Sequence, residues 1–207
     1  MIKKFRFLAA IAFTIALVQS CAVSGEKPVK TEGDNPVVEA IMARRSIRKY
    51  TPQPVSREVM SKIVECGINA PSARNQQPWE VRIVDNAAYL KEINNLYNKT
   101  EGVEEGMFKD APTVAFIAVD PTKPYPDFGC GLLVENMLLA AQSYGIGSVC
   151  LGIPIPFLTS DTAKPFIDKL GFSDGYKLIL AVGFGHPDQS PSAKPRNAEQ
   201  AKFVDNL

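Results

Sequence analysis

Apolar positions in this chain recur at two spacings, and the spacings alternate along its length. Val37, Val38, Ile41 and Met42 fall on one side of a helix that Asp34 or Asn35 can cap, with Pro36 at its first position. That helix is expected to end near Arg45, because residues 46–54 carry two prolines and read as extended. Ser56 is expected to cap a second helix, with Val59, Ile63 and Val64 at helical spacing and a break near Gly67. Residues 70–78 read as loop, and Trp79 to Val84 alternates like a half-buried strand. A short helix is predicted over Asn86 to Tyr97, followed by a polar, glycine-containing and mobile stretch to Lys109. Thr113 to Val119 is an unbroken β-branched and aromatic run, the pattern of a buried strand.

From Phe128 to Tyr144 the chain is apolar around most of a helical circumference, interrupted by Glu135, Asn136 and Gln142. A helix apolar on all sides must be buried, and in a small domain a symmetry mate is the natural cover. A turn at Gly145-Ile146-Gly147 leads to a short strand over Ser148 to Leu151. A helix is expected within Ser160 to Leu170, a buried strand over Lys177 to Gly183, and a proline-rich surface tail from His186. With no internal repeat, the pattern predicts one α+β domain over residues 35–207.

The first residues do not belong to that domain. Lys3, Lys4 and Arg6 precede an apolar run from Phe7 to Val18, then small and polar residues and Cys21. This is the layout of a secretory signal peptide over residues 1–20, with an apolar run too short for a span of about 20 residues. Val18-Gln19-Ser20-Cys21 resembles a bacterial lipobox, which implies a lipid on Cys21, export and a membrane anchor. Gln19 departs from the usual small or aliphatic residue there, so ordinary signal cleavage stays open. Residues 21–34 read as a polar tether. Loss of Lys3, Lys4 and Arg6 leaves 20 cations against 22 acids, a balance that argues against non-specific nucleic-acid binding. Cys66, Cys130 and Cys150 show no CxxC spacing and sit in apolar patterns, which favours buried free thiols; any disulfide among them is left unassigned.

Chemistry is constrained first by what is missing. His186 is the only histidine, beside a proline, so no histidine-rich metal cluster or Ser-His-Asp triad can be assembled away from it. No GxxxxGK[ST] motif occurs, and Gly183-Phe184-Gly185 lacks the third glycine of a dinucleotide fingerprint. An enzyme with this inventory would depend on a cofactor. Four elements say which. Arg44-Arg45-Ser46-Ile47-Arg48 and Lys194-Pro195-Arg196 each read alone as solvated charge, yet together supply the forks and hydroxyl a phosphate dianion requires. A cation on the first segment can also face the N1–O2 edge of a flavin. Ala70 to Trp79 carries carboxamides that both donate and accept, matching the alternating edge of an isoalloxazine. Gly152, after a buried strand, lets backbone approach a planar ring.

In this order the four elements resemble the nitroreductase family, from Pro36 to Arg196. Its hallmarks are an R-R-S-x-R segment after the first helix, an A-P-S-x-x-N-x-Q-P-W loop, a glycine-bearing strand and a K-x-R pair near the end. The resemblance implies an intertwined homodimer with a mixed sheet flanked by helices, and FMN at two intersubunit sites. Residue by residue it implies Arg44, Ser46, Lys194 and Arg196 at the phosphate, with Arg45 in the same segment. Arg48 would face the N1–O2 edge, and Gly152 would bring an N–H near N5. Pro71, Ser72 and Asn75, with Gln77 in their loop, would reach the flavin from the partner. The implied reaction is ping-pong hydride transfer through FMN N5, from NADH, NADPH or another donor to a nitroaromatic, quinone or similar planar acceptor. No side chain of the protein is expected to act covalently or to bind a metal. The stretch from Tyr97 to Lys109 is short and lacks aromatics before Phe108, so the resemblance does not extend to the acceptor. Export would also separate the protein from cytoplasmic nicotinamide pools. A non-catalytic flavin-binding lipoprotein and a plain interaction module are the competing readings.

Overall fold

The computed structural model describes residues 35–205; the signal peptide, Cys21 and the tether lie outside them. Asn35, with extended backbone, accepts from the N–H groups of Val37 and Val38 and so caps α1 (Pro36–Ala43), resolving the two candidate caps. Ser56 caps α2 (Arg57–Ile68) through Val59 N–H. Then follow β1 (Trp79–Val84), α3 (Ala87–Glu101), β2 (Thr113–Val119), α4 (Pro126–Ser143), β3 (Gly147–Leu151), the short α5 (Ile155–Leu158) and α6 (Lys164–Ile167), and β4 (Lys177–Gly185).

The four strands form one antiparallel sheet in the order β1-β2-β4-β3. One face packs on α2 and α4 through Ala115, Ile117, Val119, Val182 and Phe184. The other meets α3, α5 and α6 through Val114, Phe116, Leu178 and Ala181. β2 is covered on both faces, which is why its sequence shows no alternation. This is the predicted α+β domain, built as a sheet between two helical layers.

Several expectations change in detail. α2 ends at Ile68, beside the expected break, but Gly67 in its last turn has a further role, since a Cβ there would stand 2.5 Å from Met137 Cγ. The glycine is thus also a point of close approach between α2 and α4, which periodicity does not record. α3 runs four residues past Tyr97, to Glu101, and stops at Gly102. The stretch expected to be mobile is anchored: Met107 and Phe108 are buried, and Met107 N–H donates to Asn94 Oδ1 at 2.7 Å. Cys66 and Cys150 are exposed and only Cys130 is buried, with all three thiols free. The two exposed ones face grooves that an apolar sequence context does not reveal.

α4 needs less help from a mate than its composition suggests. Leu133, Val134, Met137, Leu138 and Ala141 are buried within the same chain, against α2 and the sheet. Unpartnered apolar surface lies on α1, none of whose residues is buried and whose Met42 is 66% exposed, and at the start of α4, where Phe128 is 70% exposed. An open groove of about 660 Å³ lies between α1, α2 and α4.

Candidate flavin site

The cationic segment after α1 lies along the outer edge of β3. Ile47 N–H donates to Ser148 O (2.9 Å), Thr51 N–H to His186 O (3.0 Å) and Asp188 N–H to Lys49 O (2.9 Å). Ser46 is bridged in parallel to Ser148. At Gly147 a Cβ would stand 2.9 Å from the Ile47 side chain, so only glycine lets the segment dock this closely. The Tyr50 hydroxyl donates to Ile47 O and fastens the far end. Burial pushes the Tyr50 pKa well above that of an ordinary phenol, against the opposing pull of Arg48, so the group stays a neutral donor.

Successive side chains of an extended segment point to opposite sides, and that alternation sorts the arginines. Arg48 lines a cavity of about 270 Å³ together with Cys150, Leu151 and Gly152. Arg44 lies on the same side, its Nε 4.0 Å from Glu135 Oε1. It is also close enough to Cys150 to oppose the burial-driven rise of that thiol's pKa, which Glu135 reinforces. Arg45 is not brought to them. Its Nη1 donates to Met42 O (2.6 Å) and Arg44 O (2.8 Å), closing carbonyls at the end of α1, and it lines a different cleft.

Gly152 has no heavy atom within 4 Å of the place a Cβ would occupy, so its backbone borders open space. Beside it Ile153 presents an apolar side chain that is 85% exposed. A cation, a bare backbone and an apolar rim around one cavity form a donor set that suits a flavin ring. Lys194 and Arg196 lie in the exposed tail, where Arg196 Nη1 donates only to Lys194 O (3.4 Å) among the described residues.

The carboxamide loop holds the densest group of left-handed non-glycine residues among the described residues. Arg74, Asn75 and Gln77 have φ values of 54°, 54° and 45°, a region that costs a non-glycine residue about 1–2 kcal/mol. The turn is held by Ser72, whose Oγ accepts from Gln77 N–H (2.9 Å) and whose carbonyl accepts from Asn75 N–H (2.9 Å). Pro71, Asn75 and Gln77 are exposed. Strain maintained to present polar groups outward is characteristic of a binding loop. This loop leads into β1, whereas Gly152 follows β3, at the opposite edge of the sheet. Three strand spacings separate those edges, roughly 14 Å at about 4.8 Å each.

Motif reasoning missed Tyr97, Glu105 and Lys109, which line the same cavity as Gly152. Tyr97 projects from α3, while Glu105 and Lys109 come from the polar stretch after it, which only its packing against the core brings to the cavity.

Known proteins resemble this chain in sequence and fold. The family model described as "Nitroreductase family" matches residues 41–186. A Methanothermobacter thermautotrophicus protein, provisionally named NADH dehydrogenase/NAD(P)H nitroreductase, is 36% identical over 76% of this chain and 81% of its own. The NADPH-flavin oxidoreductase of Vibrio harveyi is 29% identical over 78% of this chain and 70% of its own. Among solved structures, the FMN-bound nitroreductase of Bacteroides fragilis superposes with a TM-score of 0.76 at 25% identity, covering 83% of this chain and all (100%) of that one. The FMN-bound nitroreductase of Desulfitobacterium hafniense gives 0.73 at 28% identity, covering 83% and 99%. The family match spans the sheet, the helical layers and the cationic segment, and the chain belongs to the nitroreductase family.

Proposed function

We infer that this protein is an FMN-dependent NAD(P)H oxidoreductase that reduces planar acceptors such as nitroaromatics or quinones. The observation that carries the inference is the single cavity in which Arg48 meets the bare backbone of Gly152, with Arg44 alongside. The family membership and the FMN-bound structural relatives support it.

Arg44 and Ser46, on the face they share with Arg48, would hold the flavin phosphate, joined by Lys194 and Arg196 from the tail. Arg48 would stabilise negative charge at the N1–O2 edge, where a preorganised cation acts without reorganising. Gly152 N–H would point toward N5, and Ile153 would exclude water from one side of the ring. Bound FMN supplies two-electron hydride chemistry at N5, serving donor and acceptor in turn. Arg45 is reserved for the end of α1 and leaves the phosphate set.

The carboxamide loop and the Gly152 cavity occupy opposite edges of one sheet, so Pro71, Ser72, Asn75 and Gln77 would complete the site of a second copy. The uncovered face of α1 and the nearly fully exposed Phe203 of the tail offer that copy an apolar surface. A domain that sediments as a monomer while holding stoichiometric FMN would defeat this shared-site arrangement.

Purified protein is expected to be yellow as isolated or after FMN is added, to bleach with NADH or NADPH, and to recover its colour with a nitroarene or quinone. A colourless protein in the presence of FMN would sink the reading. A bound flavin that no donor or acceptor shifts would favour a storage role instead.

We also propose that residues 1–20 direct export and that Cys21 carries a lipid anchoring the domain. Among the described residues no helix is long and apolar enough to cross a membrane, so attachment would fall to the lipid. Replacement of Cys21 with Ser is expected to abolish incorporation of labelled fatty acid and release the protein to the soluble fraction. Membrane retention unchanged by that substitution would refute the anchor.

A further inference from the structure

We propose that Lys109 makes this site selective for planar acceptors bearing a carboxylate. The proposal rests on the oxidoreductase reading above and names the acceptor class of the same cavity.

Lys109 lines the same cavity as Gly152, on the segment that connects α3 to β2. Its side chain is only 23% exposed, and its Nζ lies 2.7 Å from Glu105 Oε2, the one acid paired with it among the described residues. Glu105 is 75% exposed, and a pair with so exposed a partner contributes little net stability. The ammonium is therefore held by a carboxylate that water can take over, and an incoming carboxylate can displace Glu105 at small cost. The backbone fixes where the ammonium stands. Lys109 and Asp110 both adopt left-handed conformations, with φ of 54° and 56°. The buried Met107 and Phe108 clamp the preceding residues to the core, and Lys109 N–H donates to Gly106 O at 3.1 Å. A strained turn anchored on one side and bearing a half-sequestered cation on the other is built to present that cation.

Arg48, the other cation of the cavity, comes from the segment after α1 and faces the flavin edge in the proposed arrangement. That leaves Lys109 for the acceptor. A phosphate dianion favours forked or multiple donors, whereas one compact ammonium suits one monoanionic group. A carboxylated aromatic, its ring in the slot and its acid on Lys109, fits this chemistry.

The test compares 4-nitrobenzoate with its methyl ester as oxidants of FMN-loaded, dithionite-reduced protein. The readout is the ratio of the two second-order reoxidation rates. Lys109→Met is expected to lower the acid-to-ester ratio about tenfold, the loss of one charge-assisted hydrogen bond. Glu105→Gln, which frees the ammonium, is expected to raise it. Opposite shifts in the two variants support the assignment even if one of them folds poorly. Ratios equal to wild type in both variants overturn it. Slower reduction by NADPH in Lys109→Met with an unaltered ratio also overturns it, because the anion received would then be a dinucleotide phosphate. A protein that never binds FMN fails earlier, at the oxidoreductase reading, so the two failures are distinguishable.

Discussion

Replacing Arg44 with Ala is expected to raise the FMN dissociation constant by about 10- to 100-fold while leaving the fold nearly intact. Charge-assisted hydrogen bonds contribute about 1.5–3 kcal/mol each, and tenfold in affinity corresponds to about 1.4 kcal/mol. Within the protein, Arg44 gives up little. Its ion-pairing partner is the half-exposed Glu135 at 4.0 Å, too distant and too wet to stabilise the domain appreciably. Its backbone N–H, which donates to Ala40 O and closes α1, survives truncation of the side chain. Ultrafiltration of the holoprotein with flavin absorbance as readout, alongside thermal unfolding of the apoprotein, separates the two effects. Arg45→Ala is the internal control, since its guanidinium caps the end of α1. It should cost some helix stability and leave flavin affinity close to wild type. Undiminished flavin retention in Arg44→Ala would mean that the cationic segment is not the phosphate site.

The largest expected effect on stability is at Phe116. This residue sits in the middle of β2, fully buried, and meets Phe108 edge-on, with ring centroids 5.7 Å apart and an interplanar angle of 85°. Truncation to Ala removes a large buried ring and leaves a cavity that the surrounding sheet cannot close, a loss of about 3–5 kcal/mol. For a domain of this size that corresponds to a fall in Tm of roughly 6–20 °C, at about 2–4 °C per kcal/mol. The substitution should also loosen Phe108, which holds the segment carrying Lys109 against the core. Acceptor turnover is therefore expected to suffer more than flavin affinity, because Arg44 and Gly152 lie on other elements. Calorimetry of the purified variant checks the stability; a Tm within a degree or two of wild type would show that the cavity collapses or fills.

How much of this was legible beforehand differs between the sheet, the helices and the site. β1 and β2 occupy the residues their patterns predict, because a short run of β-branched and aromatic side chains allows few alternatives. β4 runs two residues beyond its predicted end, to Gly185. Helix ends proved harder. Gly67 and Gly102 both mark helix ends, yet one is packed into the last turn of α2 and the other caps α3 with a φ of 67°. What separates them is Met137 on another helix, some 70 positions away.

By itself the sequence determined the α+β class, most element positions, and the residue types that a phosphate and a flavin edge demand. Those are local properties, written in spacing and in side-chain chemistry. The tertiary structure alone decided which of these residues can act together. Docking the cationic segment on β3 turned Arg44 and Arg48 to one side and Arg45 to the other. The strand order set the carboxamide loop a sheet's width from Gly152, and the burial of Phe108 brought Lys109 to the cavity wall. Each depends on contacts between residues distant in the chain, and the spacing of neighbours along one strand or helix carries no record of such contacts.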